Sequence, residues 1–405
     1  MPFAIALSGL NAASSDLEVT ANNIANVNTN GFKESRAQFS EVFAVGTQSV
    51  GSTQSGSGVR LAQVAQQFTQ GTIDFTDNAL DLAIGGEGFF VLSDNGARAY
   101  TRAGAFGVDN DGYVVNSSGA RLQSYPSAGN GLYNTGTPSD LKLTTGANPP
   151  QATSSAIFGL NLPADAPLPV NPVFDSTDPS SFNHTTSVTV YDSLGSAHTA
   201  TVFFVKDAAA NTWNTNFEID GDPVAGSTQI VFNPDGSLST PAGGNMTLSP
   251  YTPTTGASDI TMTLNFGTAT QYGNAFGVNS ISQDGFTTGR LTGVSVDPEG
   301  VVFARFTNGQ SLALGKLALA NFVNPQGLQQ LGETNWAESF QSGDALLGEA
   351  GTASFGNVQS GALEASNVDL TAALVQMITA QRNFQANAQM IEAADTVTQT
   401  VINIR

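Results

Sequence analysis

Residues 3–24, FAIALSGLNAASSDLEVTANNI, and residues 370–391, LTAALVQMITAQRNFQANAQMI, set the frame of this chain. Phe3, Leu10, Leu17 and Ile24 recur at heptad spacing, and Leu7, Ser14, Ala21 and Asn28 fill a second row of small or polar residues. At the other end Leu370, Met377, Phe384 and Ile391 repeat the spacing, accompanied by Leu374, Gln381, Ala388, Asp395 and Ile402. A seven-residue repeat keeps one face of an α-helix apolar, so both ends are expected to be amphipathic helices. Asn28, Asn30 and Gly31 would stop the first, and Ser366 or Asn367 would cap the second, with Asp369 favourably placed in its first turn. Neither helix can hide its stripe alone.

Between the helices the pattern changes twice. From Lys33 to about residue 70 the chain is polar and rich in Gly, Ser and Gln, notably VGTQSVGSTQSGSGVR at 45–60, the composition of a linker or of a segment ordered only by neighbours. Short alternating strands then begin: FFVLSDNGARAYTR turns at Asn95-Gly96, and FGVDNDGYVV at Asp111-Gly112. Past residue 146 the loops become rich in Pro, Thr and Ser, with prolines at 163, 167, 169 and 172. SVTVYDSLGSAHTATVFFVKD reads as two strands around Gly195, with a third from Trp213 to Ile219. Strands at Leu291–Val296, Val301–Phe306 and Leu317–Phe322 resume the earlier style.

The expected fold is therefore mainly β with α-helical termini, the helices bracketing two β-rich, barrel- or sandwich-like domains, the outer inserted in the inner. The expected boundaries are 1–29 with 363–405 for the helical domain and 30–70 for a connecting segment. Residues 71–145 with 280–362 would form the inner β domain, and 146–279 the inserted outer one.

Composition narrows the function. Acids outnumber bases 33 to 13 in 405 residues, a net charge of −20 that repels phosphate backbones and anionic surfaces, so no nucleic acid is expected. Cysteine is absent, which removes disulfides, thiol nucleophiles and cysteine-ligated metals. The N-terminus carries no basic leader or unbroken apolar core, and no run approaches the roughly 18 apolar residues of a membrane span, so neither a cleaved secretory signal nor membrane insertion is expected.

The chemical motifs fade on inspection. VDNDG at 108–112 lacks the first and last carboxylates of a calcium loop and reads as a turn. His184 and His198 have no metal-ligand or triad constellation near them in sequence and read as strand or loop residues. Asp74, Asp77 and Asp81 read as solvated or turn-capping groups, and GSTQSGSG at 51–58 lacks the lysine of a phosphate loop. No catalytic, cofactor or metal site is expected. The candidate site is one of assembly: Phe3, Leu7, Leu10, Leu17, Asn22, Asn23, Ile24 and Asn26 on the first helix, and Leu370, Leu374, Met377, Phe384, Ile391 and Ile402 on the second. The asparagines are placed to make interhelical hydrogen bonds that fix register.

Both ends resemble the rod and hook family of axial proteins of the bacterial flagellum. The resemblance lies in ALSGLNAASSDLEVTANNIANVNTNGFK at 6–33, above all Asn22-Asn23-Ile24-Ala25-Asn26, Asn28-Thr29 and Gly31-Phe32-Lys33. It lies equally in LEASNVDLTAALVQMITAQRNFQANAQMI at 363–391, with Ser366-Asn367-Val368-Asp369-Leu370 and Gln381-Arg382. YTRAGAFGVDNDGYVVNSSGARLQSY at 100–125 is similar to the first β domain that hook and distal-rod members share, and YDSLGSAHTATVFFVKDAAANTWN at 191–214 to the outer domain of hook members. The resemblance implies a non-enzymatic subunit of a flexible tube, a universal joint carrying torque from rod to filament, with the N- and C-terminal helices paired as a coiled coil and the 30–70 connecting segment packed between subunits. Its implied partners are other copies of itself in a helical homopolymer, the distal rod, hook cap and hook-filament junction proteins, and the flagellar type III export apparatus. A distal-rod protein remains one alternative, and a secreted β-sandwich that binds or cleaves glycans another.

Overall fold

The computed structural model describes residues 2–42, 56–129, 131–143, 146–352 and 354–403. Helix α1 runs Pro2–Ala25 and helix α2 Leu370–Asn403. Helix α1 stops short of the expected asparagines: a turn follows Ala25, and the chain reverses at Gly31, whose φ of 69° is a left-handed conformation that glycine adopts at least cost. The α2 cap is Asp369, not Ser366 or Asn367; its carboxylate accepts from the Thr371 and Ala372 amides at 2.8 and 3.1 Å.

The polar stretch after Lys33, expected as a linker, is partly strand. Ser35–Glu41 and Val59–Gln66 form an antiparallel pair in which Arg36 faces Ala65 and Glu41 faces Val59. Alternation between Arg36 and Phe39 was too short, and too diluted by Ser and Gln, to announce a strand. Residues 43–55, the core of the expected flexible segment, lie outside the described residues.

The chain divides into two compact units. The first comprises 1–145, 293–305 and 311–405; the second comprises 146–292 and 306–310. In the first unit Ser311–Asn321 lies at the middle of a large sheet, bonded to Val301–Phe306, Arg121–Gly129, Phe89–Asp94 and Leu346–Glu349. Period-two alternation sorts its side chains: Phe90, Leu92, Leu122, Leu317 and Leu319 enter one buried cluster, Phe89, Val91, Tyr100, Ala318 and Ala320 another. Asn95 and Gly96, with φ of 51° and 93°, make the expected tight hairpin between Asp94 and Ala97. The Asp111-Gly112 turn is wider than expected. Its loop spans 109–113, and the Asp109 carboxylate accepts from the Asp111 and Tyr113 amides.

The second unit is a sandwich of two five-stranded sheets. One runs in chain order from His184–Tyr191 through Ala197–Lys206, Thr212–Ile219 and Asp222–Phe232 to Leu238–Thr240. The other centres on Ser155–Pro163, which pairs in parallel with Thr263–Asn265 and Thr270–Tyr272 and antiparallel with Gly277–Gln283. Residues 280–283 therefore pair with the sandwich, where the sequence reading placed them in the inner domain. Phe158, Leu160, Phe204, Trp213, Phe217, Ile230 and Phe266 fill a single core between the sheets, and Phe158 stacks on Phe266 at 5.3 Å.

Candidate assembly site

The two helices are antiparallel neighbours. Gln376 of α2 donates to Asp16 of α1 at 3.1 Å, and a Cβ placed on Gly9 would meet the Asn387 amide at 2.6 Å. The heptad repeat is present, but the buried row is not the one with large side chains. Ala6, Ala13 and Thr20 of α1 are buried, as are Ala373 and Ala380 of α2, each set spaced by seven. Small residues let the backbones approach closely, and Phe3, Leu7, Leu374 and Ile378 are left exposed.

The expected site residues separate accordingly. Phe3 and Leu7 are exposed, while Leu10, Leu17 and Ile24 are half-buried. On α2, Leu370, Leu374 and Phe384 are exposed, and Met377 and Ile391 half-buried. Val375, Ile378, Met390 and Val397, absent from the expected set, extend the uncovered apolar face. Ile402 lies outside the residues whose side chains are described. An apolar surface of this length on one helix pair marks an interaction face.

The asparagines do something other than bridge helices. Asn23 is buried and bonds reciprocally with the Ser35 backbone, donating to its carbonyl at 2.7 Å and accepting from its amide at 2.9 Å. Its carboxamide thus pairs with strand backbone as another strand would, tying α1 to the hairpin. Asn26 bonds back to Asn22 within the same chain turn, at 2.9 Å to its carbonyl and 3.0 Å to its side chain, and Asn22 is exposed.

Beneath the helices lies a buried ionic knot that the sequence reading missed. Glu364 is fully buried and accepts from Lys33 at 2.5 Å, from Arg102 at 3.2 Å and from the Gly71 amide at 2.9 Å. Lys33 donates also to the Thr69 carbonyl, and Arg102 to the carbonyls of Ile84 and Gly86. Burial pulls the Lys33 ammonium and the Arg102 guanidinium below their usual ranges, against the opposing attraction of Glu364. Beside the knot, Asn367 accepts from the Glu34 amide and donates to the Gln67 and Thr69 carbonyls. Segments from both ends of the chain are thereby fastened to one another just where each helix begins or stops. Charged residues are only 11% of the chain, so each base is conspicuous in the sequence, but nothing in one dimension showed that Lys33 and Arg102 meet at Glu364.

Comparison with known proteins gives this geometry a family. The model described as Flagella basal body rod protein matches residues 3–33, and that described as Flagellar basal body rod FlgEFG protein C-terminal matches 359–404, the two helical ends. Flagellar hook protein FlgE/F/G D1 domain matches 83–166, and Flagellar basal body protein FlaE D2 domain matches 161–286, largely the sandwich. The flagellar hook protein FlgE of Salmonella typhimurium is 39% identical over 100% of both chains, and that of Escherichia coli 38% over 100% of both. That of Borreliella burgdorferi is 33% identical over 98% of each. A crystal structure of Helicobacter pylori flagellar hook protein FlgE2 shares the fold, with TM-score 0.55 and 15% identity over 72% of this chain and 100% of that one. With full-length relatives at this identity, and with helical ends and sandwich each matched in place, the chain belongs to the flagellar hook protein family.

Proposed function

We propose that this chain is the structural subunit of a bacterial flagellar hook and polymerises with copies of itself into a flexible tube that carries torque from rod to filament. The carrying observation is the helix pair that packs through alanines and leaves Leu374, Ile378, Phe384 and Met390 uncovered. Burying that face against neighbouring copies recovers about 25 cal/mol per Å² of apolar area, which a lone chain forgoes. Phe3, Leu7, Leu370, Leu374 and Phe384 are then contacts between subunits, while Leu10, Leu17, Ile24, Met377 and Ile391 border them. Asn23 holds the helix at its angle to the hairpin, with Asn22 and Asn26 shaping its end.

The chain works by packing, without catalysis. Its partners in this reading are the distal rod below, the cap during growth, the junction proteins above and the type III export apparatus that delivers it. The separate sandwich, matched by the FlaE D2 description over 161–286, favours a hook subunit over a distal-rod subunit. Among the described residues no helix is long and apolar enough to cross a membrane.

Electron microscopy of full-length chain carrying Leu374→Glu and Phe384→Glu tests the reading. Loss of tubes with a normally folded monomer is the expected result; wild-type tubes from the double variant would overturn it.

A further inference from the structure

His198 is buried within the second unit, and both of its ring nitrogens meet carboxylates: Nδ1 lies 2.6 Å from Asp220 Oδ2 and Nε2 3.3 Å from Asp192 Oδ2. Carboxylates only accept, so satisfying both contacts requires two N–H groups, which only the imidazolium carries. Asp192 is itself fully buried and crowded with donors: the Leu194 and Ser196 amides at 2.9 and 2.8 Å and the Thr255 hydroxyl at 2.7 Å. Burial alone would raise its carboxyl. The bonds from Thr255, Ser196, His198 and Leu194 outweigh burial and bring its pKa down to about 2.

The partners come from three separate loops. Asp192 opens the 192–196 turn, Asp220 occupies the turn before Gly221 at a left-handed φ of 55°, and Thr255 belongs to the 249–260 loop. A Ser258 amide bond to Ser193 at 3.0 Å joins the first and third. We propose that His198 is a charged pin that closes these three loops over one end of the sandwich, and that the loops loosen when the surrounding medium turns alkaline.

The direction follows from the charges. Burial opposes the imidazolium, but the Asp220 and Asp192 bonds prevail and raise the His198 pKa above its ordinary 6.5. The other groups near it are Tyr251, whose ring centroid is 6.2 Å away, and Asp222 beside that tyrosine; Asp259, on the same loop, is held by Thr252. None supplies a second cation. Stability from the pin is full below about pH 6.5 and is lost as pH rises through the raised value. Once the proton leaves, one ring nitrogen points a lone pair at an ionised carboxylate.

Histidine C2 hydrogen exchange read by mass spectrometry on the full chain tests this directly, because the chain has only two histidines. His184, stacked on Phe276 at 4.5 Å and lowered by burial, serves as internal contrast. The expected result is titration of His198 above 6.5 and of His184 below it. Amide protection at 193–196, 220–222 and 252–258 should fall about tenfold between about pH 6 and about pH 9, the size of one lost charge-assisted bond, while 158–162 holds. His198→Gln should give loosened loops at every pH, and Asp220→Asn should move the His198 titration downward without unfolding the unit, since Asp220 is partly exposed. His198 titrating at or below 6.5, or loop protection that varies with pH identically in wild type and His198→Gln, would overturn the proposal.

Discussion

The sandwich and the helix pair are both built from alternating apolar and polar residues, yet they end in opposite conditions. Trp213, Phe158, Phe204 and Phe266 are sealed between two sheets, whereas Leu374 is 45% and Ile378 50% exposed on a helix that already has a partner. The sandwich spends its large side chains on its own core. The helices spend alanines on theirs and keep the large residues outward. Self-sufficiency is thus decided by which residues fill the seam, and not by how amphipathic an element is.

Deleting 1–29 or 363–405 is the harshest way to break that contrast. Tubes should vanish entirely in electron micrographs, while the sandwich retains its own unfolding transition; tubes from either truncation would erase the distinction. Phe158→Ala should cost the sandwich about 3–5 kcal/mol in denaturant unfolding, from lost burial and the cavity left behind. Glu364→Gln should cost a comparable 3–5 kcal/mol because it strands two buried cations. Its signature is local, with faster amide exchange at 31–35 and 69–71 and none in the sandwich. Ala380→Leu forces the helix seam apart at about 1–3 kcal/mol, measured as a lower midpoint for helix melting. Val375→Ser should change the stability of the free chain by no more than about 0.5 kcal/mol, since that side chain is 61% exposed, yet it should slow tube growth in a seeded assembly assay.

Much of this was legible in one dimension. The heptads announced both helices, Asn95-Gly96 announced its hairpin, and the strands flanking Gly195 and at Trp213 to Ile219 fell where alternation put them. The choice of inward row was not, because a repeat of seven fits Ala6, Ala13 and Thr20 as well as Phe3, Leu10 and Leu17, and the partner decides between them. Asn22, Asn23 and Asn26 stand out in the sequence as amides beside an apolar row, but the partner of Asn23, Ser35, lies on a hairpin hidden among Ser and Gln, and Asn26 turns back on Asn22. The His198 cluster stayed invisible for a similar reason: Asp192 is near in sequence, while Asp220 and Thr255 arrive only through folding. Long-range polar meetings leave no periodic trace.

The ionic knot has a consequence for unfinished copies. Lys33 and Arg102 belong to the early part of the chain, and the carboxylate they share arrives only at residue 364. A product that stops sooner has two cations to bury and no Glu364 to set against them, so it must either hold that region open or pay heavily to shut it. Closure of this region is thus deferred until residue 364 has been made, and any shorter chain lacks the acid that completes it.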